Sequence, residues 1–297
     1  MWFTRDSLEE RLDDERAPMV AGNFYPSDAD LLRQQIHSLL AAPGHAAWHA
    51  PVLIAPYAHY DLVGDLLGKL YSAVTLPEVV ILLSPAEGRI RRISQISSYR
   101  PWRIPGGSVA IASDVAEALR DIGLLSETPG AFDNECAIEA QLPFLTTLNA
   151  RVRIVPVRLG NLPWPTCVRL AQSLSDLAAQ YRRRLLIIGL TNLHRHSDSA
   201  FVRTRDTFLS ELVAQVDSKA VYHLGAKPKE APAGLCAAAI ALHTAELIDA
   251  ISAYQHGYRL APASRSKPAM GYGAWSFRER ITERIEALAA PTTGGEF

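Results

Sequence analysis

Tyr57, His59, Tyr60 and Asp61 fall within five residues, directly after the apolar run at 52–56 in "VLIAPYAHYDLVG". Imidazole, phenol and carboxylate groups this close together can move protons or hold a cation. Three further clusters have the same character. Glu87 and the basic run "GRIRR" (Arg89, Arg91, Arg92) follow the apolar run "VVILLSP". Thr191, Asn192, His194, Arg195 and His196 close "RLLIIGLTNLHRH". Glu135, Cys136 and Glu139 lie in "NECAIEAQLPFL", which reads as the start of a helix. There Cys136 and Glu139, three apart, share one helical face. A helix N-terminus also favours carboxylates and lowers a thiol pKa.

Positioning these clusters requires strands that end where the polar residues begin. Four runs rich in Val, Ile and Leu, at 52–56, 79–85, 152–160 and 184–192, read as strands covered on both faces. Helical periods fall between them. "DADLLRQQIHSLLAA" is read with Ser27 as its N-cap. "DLLGKLYSAV", "AIEAQLPFLTTL", "PTCVRLAQSLSDLAAQY" and "TRDTFLSELVAQV" follow, and "GLCAAAIALHTAELIDAISAY" reads as one long Ala-rich helix. Cys167 and Cys236 fall in helical stretches and read as core, as do Trp102, Trp164 and Trp275. Gly106 and Gly107 read as a turn before a strand. "APASRSKPAMGYGAWSF" reads as a loop and a late strand, and "APTTGGEF" as a disordered tail. The alternation predicts a single α/β domain over 1–290, with a central, mainly parallel sheet flanked by helices and a tail at 291–297. In such sheets ligands bind beyond the carboxyl ends of the strands, where the clusters after the first, second and fourth runs fall.

Lys plus Arg total 30 against 31 Asp plus Glu, a net charge of -1, so no general charge draws the chain to nucleic acid or an anionic membrane. No apolar run approaches the roughly 20 residues of a membrane span. The charged N-terminal stretch lacks the apolar core of a signal peptide. Three scattered cysteines without a CxxC pair fit a reducing, cytoplasmic setting and no structural zinc.

The same segments carry a resemblance. "RAPMVAGNFYP", "APYAHYDLVG", "LLSPAEG", "NECAIEAQLPFL", "IVPVRLG", "GLTNLHRH" and "KPAMGYGAWSF" stand in the order of the motifs of the Memo family. Its bacterial and archaeal members are called AmmeMemoRadiSam system protein B, and its fold is similar to that of the class III extradiol dioxygenases. The resemblance covers nearly the whole chain. It implies a pocket built on two histidines and a cysteine able to hold iron or copper. Those three positions fall here on Tyr57, Glu87 and Ala233. The histidine of the family's E-H-S falls on Cys136, the aspartate of its S-D-L on Asn192, and the next histidine on Arg195.

Three readings follow. In the first, a metal site is rebuilt from His59, Glu87 and one of His194 or His196, two histidines and a carboxylate suited to Fe(II) or another divalent metal. In the second, which the loss of the family ligands favours, no metal is used. Tyr57, His59, Glu87, Cys136, Asn192 and His194 then act on a small-molecule or peptide substrate by acid–base or cysteine chemistry. Arg89, Arg195 and Glu139 would bind that substrate, the arginines by bidentate contacts to an anionic group. In the third, the pocket has lost its chemistry and holds a peptide or partner protein. Convergence of these side chains favours an enzyme, and dispersal favours a binding module.

Overall fold

The structure is a computed structural model that describes residues 15–40, 46–86, 94–97, 100–128, 130–225 and 232–280. Glu87, Arg89, Arg91, Arg92 and the tail at 291–297 lie outside these residues. In chain order the elements are α1 (Ala29–Leu39), β1 (Val52–Ala55), α2 (Tyr60–Ser72), β2 (Val79–Pro85), β3 (Gln95–Ile96), β4 (Trp102–Ile104) and β5 (Gly107–Ile111). Next come α3 (Ser113–Asp121), a 3-10 turn (Glu139–Gln141), α4 (Leu142–Leu148), β6 (Arg153–Leu159), α5 (Trp164–Tyr181), β7 (Leu185–Leu190) and β8 (Arg195–His196). The last are α6 (Ser199–Ala214), α7 (Ser218–Gly225), α8 (Leu235–Leu247), β9 (Ser252–Ala261) and β10 (Ala269–Arg278).

The strands form one sheet in the order β4-β5-β6-β2-β7-β1-β10-β8, with β3 on β6 and β9 on β10. Its centre, β5-β6-β2-β7-β1, is parallel, and β10 adds antiparallel to β1. The four continuous apolar runs are the four central strands because both faces of each are covered. Side-chain alternation sorts them into two cores. Val52, Ile54, Val79, Ile81, Val155 and Ile187 pack with α3, α5 and α8. Leu53, Val80, Leu82, Ile154, Leu186 and Ile188 pack with α1, α2 and α4. This is a single α/β domain with a mainly parallel sheet between helices. Among the described residues no helix is long and apolar enough to cross a membrane.

Two local expectations are corrected. The N-cap of α1 is Asp28, not Ser27, because its Oδ1 accepts the N–H groups of Asp30 at 3.0 Å and Leu31 at 2.9 Å. The long Ala-rich stretch is not one helix. It stops at Leu247, and the residues from Ser252 form β9 along β10. Asp249 takes φ 54°. The Ala250 N–H then turns back to the Ala245 carbonyl at 2.8 Å, which closes the helix end.

Asp249 is exposed and sits in the left-handed region that favours glycine. Asp249→Gly is expected to raise unfolding stability by about 0.5–1 kcal/mol through relief of that conformation. Urea unfolding checks this, and a loss of stability would show that Asp249 holds the helix end by more than its backbone.

Candidate functional site

The parallel register sets Ala55 at the end of β1 beside Leu190 at the end of β7. The residues that follow are tied together by side-chain amides. Asn192 Oδ1 accepts the Tyr57 N–H at 3.0 Å, and its Nδ2 donates to the Tyr57 carbonyl at 2.9 Å. Gln141 Nε2 donates to the Pro56 carbonyl at 3.0 Å, and Tyr71 donates to Gln141 Oε1 at 2.9 Å. A buried loop leaves backbone groups that the sheet cannot pair, and these amides pair them. Tyr57 itself is buried. His59 lies outside this knot: it is exposed, starts α2 without a side-chain cap bond, and sets its ring 4.8 Å from that of Phe24.

After β7 the chain splits "HRH" between two environments. His194 is 6% exposed. Its backbone N–H donates to Asp206 Oδ1 at 2.8 Å, and its Nδ1 lies 2.9 Å from the same oxygen. Tyr258 donates to Asp206 Oδ2 at 2.9 Å. Burial, then the Asp206 charge and hydrogen bond, push the Tyr258 hydroxyl pKa well up. Asp206 has no exposed surface and shares its face of α6 with Val202, Leu209 and Val213. Gly271 makes room for it, since a Cβ there would stand 1.7 Å from Asp206 Oδ2. Arg195 and His196 face out as the short strand β8 on β10. His196 Nδ1 accepts the Asp198 N–H at 3.0 Å, and its ring lies 4.5 Å from Phe201.

The third cluster is a turn rather than the start of a helix at Cys136. Helical backbone begins only at the 3-10 turn Glu139–Gln141 and continues into the seven-residue α4. The dipole argument for an acidic Cys136 thiol therefore loses its source. Cys136 is partly buried, and its carbonyl accepts the Ala140 N–H at 3.0 Å. Glu135 Oε1 accepts the N–H groups of Ala137 and Ile138, and Oε2 accepts the Ser84 hydroxyl at 3.1 Å. Burial pushes the Glu135 pKa up, while these donors and Arg158, 3.5 Å away, pull against it. Glu139 is wholly buried and collects Arg16 Nη1 at 2.5 Å, the Met19 and Val20 N–H groups at 2.8 Å each, and the Tyr25 hydroxyl at 2.7 Å. It holds the segment around "APMVAGNFYP" onto the domain, which is an architectural task rather than a substrate contact.

A family model described as Memo-like protein matches residues 16–274. The chain belongs to the Memo family. A MEMO1 family protein of Methanopyrus kandleri is 30% identical over 217 residues, covering 68% of this chain and 77% of that protein. One from Thermotoga maritima is 28% identical over 223 residues, covering 70% and 80%. One from Archaeoglobus fulgidus is 24% identical over 243 residues, covering 79% and 91%. The mainly parallel sheet between helices agrees with the extradiol dioxygenase-like fold of the Memo family.

Among the described residues, the donors do not fit the metal that the family resemblance implies. Ala233 offers a methyl group in place of the cysteine, and its carbonyl accepts the Thr191 hydroxyl at 2.9 Å. Tyr57 offers a buried phenol in place of the first histidine. Among the described residues no three His, Cys, Asp or Glu side chains are grouped to share a metal. The structure brings Tyr57, Asn192 and His194 to neighbouring strand ends. His59, Arg195 and His196 lie at the surface, and Glu87 and Arg89 are outside the described residues. Sequence reasoning missed Asp206, Tyr258, Arg158 and Arg16. Asp206 had a visible signal: an acid in line with Val202, Leu209 and Val213 on the apolar stripe of a helix.

Glu139→Ala leaves the buried Arg16 without its carboxylate, and should cost about 3–5 kcal/mol in urea unfolding. A loss near zero would mean that Arg16 finds water. Asn192→Asp, which restores the residue of the family motif, replaces an N–H donor with an oxygen facing the Tyr57 carbonyl. It should cost about 1–3 kcal/mol at neutral pH. The cost should shrink as pH falls, because protonation of the new carboxyl restores the donor. The repulsion raises the folded-state pKa, so stability is lost as pH rises through it. A pH-independent cost would show that the loop rearranges instead.

Proposed function

We propose that this Memo-family chain is an enzyme that acts on a small molecule or peptide at the carboxyl ends of its parallel strands. Its chemistry is acid–base, without the metal site of the family. The observation that carries the reading is the 2.9 Å contact between Asp206 Oδ1 and His194 Nδ1. A carboxylate held there by the His194 N–H and by Tyr258 accepts the Nδ1 proton. That fixes the tautomer in which Nε2 carries the lone pair. An imidazole so oriented takes a proton at Nε2 and later returns it, with the carboxylate steadying the charged form. Among the described residues Nε2 has no hydrogen-bond partner, which leaves it for substrate.

Glu87 is the second proton-transfer group in this reading. It follows the end of β2 by two residues, and β2 is the parallel neighbour of β7 in the sheet. Tyr57 and Asn192 form the wall between β1 and β7. The non-catalytic reading also has support, because His59, Arg195 and His196 are dispersed at the surface, and Asn192, Gln141, Glu135 and Glu139 are committed to backbone groups of the protein itself. It predicts retention of a ligand without conversion.

The experiment is incubation of wild type, His194→Gln and Asp206→Asn with a small-molecule extract and a peptide mixture, followed by mass spectrometry. All three proteins are first checked for equal thermal unfolding. The expected result is a species that wild type converts and that both variants convert at least about 100-fold more slowly. Equal conversion by wild type and His194→Gln would overturn the reading. A species bound but unchanged by all three would favour the binding module.

A further inference from the structure

Cys167 and Cys236 are 69 positions apart in sequence, yet α5 and α8 bring their sulfurs to 3.7 Å. The placement is enforced from both sides. Cys167 lies on the buried face of α5 with Leu170, Ala171 and Leu174. Cys236 is the second residue of α8, just after Gly234 at φ 98°. A Cβ on Gly234 would stand 2.4 Å from the Leu190 carbonyl oxygen and 2.9 Å from Thr191 Cα. The start of α8 is therefore pressed against the end of β7, which fixes the backbone that carries Cys236.

The two thiols differ in access. Cys167 is fully buried, and Cys236 is partly exposed. Cys236 is therefore the residue of the pair nearer to solvent. A hydrogen bond from Cys167 pulls the Cys236 pKa down against the effect of burial, and the same contact pushes Cys167 up. The outer thiol is the one favoured as thiolate, and the thiolate is the reactive form. Two core cysteines serving only as small apolar residues would need neither the sulfur contact nor this asymmetry.

We propose that Cys167 and Cys236 are a reversible redox pair that reacts with a low-molecular-weight disulfide of the glutathione class. The Cys236 thiolate attacks one sulfur of that disulfide. A mixed disulfide forms, and a small thiolate leaves and takes up the proton that Cys236 gave. Cys167 then loses its proton and attacks Cys236 Sγ, and the second small thiol departs with that proton. Two protein thiols are oxidised to one disulfide, and one small disulfide is reduced to two thiols. The sulfurs close from 3.7 Å to about 2.05 Å, within reach of side-chain rotation and a small helix shift. The inference is independent of the role given to His194.

The test equilibrates the full chain with mixtures of oxidised and reduced glutathione, traps free thiols with an alkylating agent in denaturant, and maps the peptides. Of the three cysteines, one free thiol should remain, that of Cys136, with the Cys167 and Cys236 peptides joined. Cys136→Ala should behave like wild type, and Cys167→Ala should stop at a glutathione adduct on Cys236. Three free thiols at every ratio, or a bridge that includes Cys136, would overturn the proposal. A Cys167→Ala adduct on any other residue would overturn the assignment of Cys236 as the attacking thiol. Should Cys167→Ala fail to fold, the wild-type map alone decides whether the bridge forms.

Discussion

A carboxylate with no exposed surface persists only when donors replace the water it has lost. Glu139 meets that condition with a guanidinium, two backbone N–H groups and a phenol, all from the segment between Arg16 and Tyr25. Arg16 is held in turn by the carbonyls of Phe132 and Glu135, and its guanidinium lies 4.1 Å from the centre of the Trp102 ring. One ion pair therefore fastens the segment before α1, the strand β4 and the turn before the 3-10 helix. That turn carries Glu135, which meets Ser84 in β2. The position of Glu135 beside β2 thus depends on the Arg16–Glu139 pair, because Arg16 also holds the Glu135 carbonyl.

The same economy of contacts explains why polar residues crowd the strand ends without all being reactive. β1 and β7 end in loops whose backbone groups leave the ladder while still buried, and each such group needs a partner. Asn192 and Gln141 supply partners for the loop after β1, and Asp206 supplies one for the His194 N–H. An amide serves Tyr57 better than a carboxylate because it both donates and accepts. This gives a physical sense to Asn192 where the family motif has aspartate: the amide completes the loop by pairing both the N–H and the carbonyl of Tyr57.

Much of the architecture was legible because the four central strands are apolar on both faces, which makes their runs continuous. The expected site was only partly legible, and the reason lies in particular residues. "HRH" names three polar side chains in a row, but β8 is an extended pair on β10, so His194 turns in while Arg195 and His196 remain exposed. "NECAIEAQ" has the composition of a helix start, but the chain turns there, with Glu135 Oε1 accepting the N–H groups of Ala137 and Ile138. The Ala-rich run hides its end because Asp249, not a glycine, takes the left-handed position. The carboxylate that meets His194 comes from α6, and Tyr258 reaches that carboxylate from β9; one sequence carries no sign of this grouping beyond an acid on an apolar stripe.

What remains at the strand ends separates architecture from reactivity. Asn192 has both ends of its amide on Tyr57, Glu139 has both oxygens on the N-terminal segment, and Glu135 has both oxygens on donors of the fold. His194 differs, since Asp206 takes Nδ1 and leaves the other nitrogen. A purely structural histidine at this place would be replaceable by any residue that fills the space and offers its backbone N–H to Asp206. The carboxylate adds a ring-orienting contact that the backbone bond alone does not require, and Tyr258 fixes the carboxylate in turn. Three elements thus converge to set the angle of one imidazole at the end of β7.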